Sequence, residues 1–259
     1  MGGFSMASVI LSYFLIAGGT FSSLLLAGKL GIHSEYIGYI IMAVGAFFGG
    51  VIAARASRGS TIVEPAIGAI AMVVSIVALG LAVSGSESRD AILLPGNMKA
   101  IALTAGASAF GGIAGASVSE KLFGEATTSS APWIIYIAVA AFGAGVIGSI
   151  FGGVLGKGEA GPLFGILALC CLLVGGAAGA SARTRTLGAS FLGGALGVGG
   201  FFFLAILLFI GVLSSASKSG SAEVPPEVYT GVAILAVGAG ILTLIGSAIG
   251  WSAVGKKQT

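Results

Sequence analysis

The charged side chains that could do chemistry in this chain gather at two places: Arg55 and Arg58 just ahead of Glu64, and Arg183 with Arg185. Arginine pairs in short turns hold phosphates or phospholipid headgroups through forked, permanently charged donors. If both turns lie on one face, the four guanidinium groups form a joint site for an anion. Glu64 admits two readings. As a carboxylate beside Arg55 or Arg58 it would line a cytoplasmic vestibule. Alternatively, Thr61 and Glu64 have capping-box spacing at the start of a helix whose first turn tolerates Pro65. No glutamate matches Glu64 in the second half of the chain, so a functional role for it would be asymmetric.

The acid–base partners that an enzyme needs are scarce. His33 is the only histidine, Asp90 the only aspartate, and Asn97 and Gln258 the only side-chain amides. Serine and threonine are plentiful, but no base accompanies them inside an apolar run. Cys170 and Cys171 are adjacent, and neighbours on a helix point about 100° apart, which makes a bridge between them unfavourable. With one histidine and no spaced cysteine pair, no metal, haem or other cofactor is expected. The GxG strings lie within apolar runs rather than after a strand, so they are not phosphate cradles. The expectation is a protein without catalysis of its own.

The elements that must position these residues are apolar throughout. Hydrophobic residues make up 56% of the 259, glycine adds 46 more, and charged residues reach only 8%. Mean hydropathy is +1.10. An ordinary soluble domain carries about 25% charge, so this chain has too few charges for a water-facing coat. The net charge of +3 is scattered in ones and twos, leaving no basic face for nucleic acid. A bilayer core of about 30 Å needs roughly 20 apolar residues per helix. Eight such runs are present, near 4–27, 36–54, 62–83, 98–119, 131–156, 162–182, 187–213 and 228–254. They are continuous rather than alternating, which selects helices over barrel strands. The fourth, rich in Ala, Gly and Ser, has the faintest signal. The first has no basic residue before it and exceeds a signal-peptide core in length, so it is expected to be retained.

The charge punctuation repeats. Lys29 and Lys157 each close an apolar run, and so do Arg55 and Arg183, both pairs standing 128 residues apart. GGVIAARASRGST closes the second run and GGAAGASARTRT the sixth; Ser-rich loops end at Pro95 and at Pro225 and Pro226. The expected fold is an all-α, polytopic transmembrane bundle of about eight spans. It is built from two tandem parallel four-helix repeats, residues 1–130 and 131–259, forming one membrane domain. Eight spans place both termini on one side. Seven basic residues against five, with the arginine pairs in the tightest turns, make that side cytoplasmic, in a plasma or inner membrane.

Helices in lipid associate through close packing, which small residues at every fourth position permit. The longest such stripe is Ala140, Ala144, Gly148, Gly152 and Gly156. Its partner is a neighbour within the chain, the same helix of another copy, or a different membrane subunit. Shorter stripes include Gly111 with Gly115, Gly175 with Gly179, and Gly246 with Gly250. Trp133, Trp251 and Tyr229 stand near span ends and suit interfacial anchoring. Two functions fit this inventory besides the bilayer itself as partner. One is a packing or scaffold component of a membrane assembly or homo-oligomer. The other is a transporter or channel for a small neutral, lipidic or anionic solute between the repeats, which calls for a hinge; the five glycines in Gly193–Gly200 of the seventh span are the best place for it.

Overall fold

The computed structural model describes residues 5–29, 31, 35–56, 63–84, 90, 92–123, 133–157, 159–181, 187–216 and 225–255. Eight long helices account for nearly all of them: α1 (Met6–Lys29), α2 (Glu35–Ala56), α3 (Val63–Val83), α4 (Pro95–Phe123), α5 (Trp133–Leu155), α6 (Ala160–Ser181), α7 (Leu187–Ala216) and α8 (Pro226–Gly255). Each is long and apolar enough to cross a membrane, so the chain is an all-helical multi-pass membrane protein. The fourth span is a full helix of 29 residues despite its small side chains. It begins at Pro95 and α8 begins at Pro226, because proline has no N–H to lose and its fixed φ suits the first helical position.

α1 and α5 lie at the centre and bury the largest share of their surfaces. Leu11, Leu15 and Ile16 of α1 and Ile137, Ala140 and Ala144 of α5 are all essentially inaccessible and belong to one core. In the first half α1 packs on α2 and α3, and α4 closes the set by packing on the same two. In the second half α5 packs on α6 and α7, and α8 closes that set likewise. The registers agree as well. Gly115 of α4 faces the Phe47 backbone of α2, and Gly175 of α6 faces the Thr243 backbone of α8, each residue of the second pair lying 128 positions after its counterpart.

Glycine sets how closely these helices approach. A Cβ on Gly143 of α5 would fall on the Phe14 carbonyl of α1, and one on Gly18 of α1 would meet the Val139 carbonyl of α5. Two further faces of α5 are used in the same way: Gly148 and Gly152 lie against Leu167 and Leu163 of α6, while Gly145 lies against the ring of Phe201 on α7. A helix with three close neighbours needs small residues on three faces, which is why the stripe in α5 has a second stripe beside it. Polar side chains reinforce the packing. The hydroxyls of Tyr13 on α1 and Ser75 on α3 are 2.7 Å apart, while Thr243 turns its hydroxyl to the Ala239 carbonyl of its own helix, 2.8 Å away.

Two neighbouring glycines give a direct test of this packing. Gly152 is buried against the Leu163 Cα, whereas nothing lies within 4 Å of a Cβ on Gly153. Gly152→Leu is expected to destabilise the protein by about 1–3 kcal/mol, the usual range for overpacking, and Gly153→Leu by less than about 0.5 kcal/mol, as for a surface change. Unfolding in mixed micelles of mild detergent and dodecyl sulfate reads both. Equal midpoints for the two variants would remove the close approach of α5 and α6 as a source of stability.

Candidate functional site

The first turns of α1, α3 and α5 and the last turn of α2 share one end of the bundle, where Ser5, Ser8, Arg55, Glu64 and Tyr136 lie. Glu64, in the first turn of α3, is 2% exposed. Its Oε1 accepts a hydrogen bond from the backbone N–H of Ser5, 2.7 Å away, at the start of α1. The Ser5 hydroxyl in turn accepts, at 3.4 Å, from the Ser8 N–H in the first turn. A carboxylate is costly to bury without a partner. Here it faces the positive end of a neighbouring helix and satisfies one of the N–H groups that every helix start leaves open. Glu64 therefore caps α1; Thr61, the other half of the expected capping box, lies outside the described residues. The two helices run parallel, so their starts lie side by side.

Arg55, at the end of α2, donates from Nε to the Tyr136 hydroxyl of α5 at 3.3 Å. This bond crosses between the two halves. Trp133 stands edge-on to Tyr136, with ring centroids 5.9 Å apart, and is only 7% exposed. The expectation that Trp133 anchors at the lipid interface is thus not met. Its ring faces inward because the start of α5 is central, whereas Tyr229 and Trp251 on the peripheral α8 are exposed. Arg58, Arg183 and Arg185 lie outside the described residues, so the joint anion site is represented there by Arg55 and Glu64 alone. In the small-residue stripe, Ala140 and Ala144 enter the core shared with α1. Gly148 and Gly152 meet α6, and Gly156 is buried at the turn into α6.

Among the described residues this end holds a cap, and a hydrogen bond from a cation to a phenol. Cys170 and Cys171 are free and buried, and no group of three or more potential metal ligands occurs among the described residues.

Two cavities are relevant to what the bundle binds. One of about 750 Å³ is a groove between α2 and α4, lined by residues such as Ile40, Phe47, Leu103 and Phe110. Its rim is lipid-facing surface, with Phe110 among the most exposed side chains of the protein. The other, about 360 Å³, lies beside the α1–α5 seam, walled by α1 to α4 of the first half and α5 of the second. Ala17, Thr20 and Phe21 of α1, Val73 and Ile76 of α3, Thr104 of α4 and Ile150 of α5 are among its walls. Sequence reasoning missed this cavity, since nothing in an apolar run distinguishes a filled interior from a hollow one. The seventh span, proposed from sequence as a hinge, is an unbroken helix. Its Gly193 and Gly197 are close-packing points on α5, and its Gly194 is one on Thr243.

No family model, curated protein or solved structure matches this chain.

Proposed function

We propose that this multi-pass membrane protein is a packing or scaffold component of a membrane assembly, without catalytic activity, and that it consists of two copies of a four-helix unit. The single observation that carries the reading is the seam between the halves. A solute path along the interface would need continuous space between α1 and α5, and Gly18 and Gly143 close the seam by bringing the two backbones into contact, next to a cavity of only about 360 Å³. The unbroken α7 points the same way, because alternating access generally uses discontinuous helices. The duplication is supported by the matching helix pairs in each half and by the shared register of the α2–α4 and α6–α8 crossings. With eight crossings, both termini lie on one side of the bilayer, and the distribution of arginine in short turns favours the cytoplasm.

The test is native-mass analysis of the tagged protein after extraction from its own membrane in mild detergent. The scaffold reading expects a discrete species above the 25.2 kDa of the single chain, with fixed stoichiometry of a second copy or another membrane subunit. A monomer that, once reconstituted, moves neutral or anionic solutes across liposomes would replace this reading with the transporter.

A further inference from the structure

We infer that the groove between α2 and α4 seats one acyl chain of an anionic phospholipid whose phosphate pairs with Lys99. The inference rests on the membrane crossing alone and not on the scaffold reading.

The first observation is the shape of the groove. α2 and α4 touch where Gly111 and Gly115 face the Ala43 and Phe47 carbonyls. Nearer the start of α4 the groove runs between Ile40 and Leu103, with Gly106 on its wall. Nothing lies within 4 Å of a Cβ on Gly106, so the wall is recessed there. On α4 the lining extends from Ala102 to Ala114, about 18 Å at 1.5 Å per residue. One leaflet's share of the hydrocarbon core is about 15 Å. The groove therefore has the length of a single acyl chain, and because its rim faces lipid, a chain enters it sideways from the bilayer.

The second is the charge at its mouth. Lys99 is exposed and precedes Leu103 by four residues and Gly106 by seven, which puts all three on one face of the helix. Its Cα stands about 6 Å beyond that of Leu103 along the helix, near the start of the apolar span. A lysine at that level lays its stem along apolar surface and carries the ammonium to the headgroups. α4 has no acidic residue in its first turn, and Lys99 forms no ion pair with an acidic side chain among the described residues. A cation near a helix start is electrostatically unfavourable on its own. A phosphate supplies the opposite charge, and the lipid that bears it also bears the chain for the groove below.

The third is the contrast with the second half. At the 128-residue offset that relates the α2–α4 and α6–α8 crossings, Lys99 and Gly106 correspond to Glu227 and Ile234. Glu227 lies in the first turn of α8, where the helix dipole favours an acid, and Ile234 is exposed. The second half thus has an anion in place of the cation and a branched side chain in place of the recess. A phosphate is repelled there, and a chain finds no seat.

The experiment uses the full chain in phosphatidylcholine nanodiscs carrying traces of a phosphatidylglycerol or a phosphatidylcholine probe, each with the same diazirine-bearing acyl chain. Labelled positions are mapped by mass spectrometry. On groove-facing positions of α2 and α4 the phosphatidylglycerol probe is expected to exceed the phosphatidylcholine probe about fivefold, the worth of one lysine at a membrane surface. Neither probe should concentrate on the outward face of α8. Lys99→Gln should bring the two probes level, and Lys99→Arg should keep the preference. Gly106→Ile, whose Cβ meets open space, should lower labelling by both probes severalfold at an unchanged elution volume. Equal labelling by both probes in the wild type, or a preference that survives Lys99→Gln, overturns the headgroup. Labelling no stronger than on α8, or unchanged in Gly106→Ile, overturns the seat. A Gly106→Cys variant that oxidation joins through that position to a second copy puts protein in the groove and overturns both.

Discussion

Gly143→Leu is expected to abolish the folded protein. A Cβ at this position meets the Phe14 carbonyl and the Gly18 backbone, and backbone cannot rotate out of the way as a side-chain tip can. The side chain would force α1 from α5 along the seam that holds the two halves together. Overpacking usually costs about 1–3 kcal/mol, and sites without room to relax cost more; here the loss is expected to exceed about 3 kcal/mol. In detergent, the variant should elute as aggregate, or unfold at a much lower dodecyl sulfate fraction than Gly152→Leu. Wild-type elution and an unchanged unfolding midpoint would show that the two central helices do not touch as described.

The second large effect is at Glu64. Glu64→Ala leaves the half-buried Ser5 N–H without its acceptor and removes the negative charge from the start of α1. An orphaned buried donor costs about 1–3 kcal/mol, and the helix-end charge adds about 0.3–1 kcal/mol. Glu64→Gln keeps an oxygen in place and forfeits only the charge, so its cost should stay near or below about 1 kcal/mol. Thermal unfolding of both variants separates the contributions. If Gln and Ala prove equally destabilising, the role of Glu64 rests on its charge and not on the cap.

Much of this architecture was legible before any coordinates. A bilayer demands about 20 apolar residues per crossing, so the eight spans follow from hydropathy, although α4 and α8 begin at Pro95 and Pro226, ahead of the apolar runs near 98 and 228, because proline fits the first helical position. Side-chain surroundings were harder to read. In water an amphipathic helix advertises its buried face, but in lipid both faces are apolar and the pattern carries little orientation. Hence Trp133 reads as an interfacial anchor and is in fact interior. Glu64 reads as the capping-box partner of Thr61, and its bond to Ser5, 59 residues away, could not be read from local spacing. Gly148, Gly152 and Gly175 of the small-residue stripes lie close to neighbouring helices, yet nothing in the sequence named the partner helix. Gly148 could be assigned to α6 only once the order of packing was known.

The central position of α1 has a consequence for biosynthesis. This helix leaves the ribosome before α5, which carries the surface that covers its Gly18 face and is translated more than a hundred residues later. Until then that face must rest against lipid or be shielded by the insertion machinery. Delivery of the fifth helix, rather than partitioning of the first, is therefore the step at which the nascent chain commits to its final arrangement.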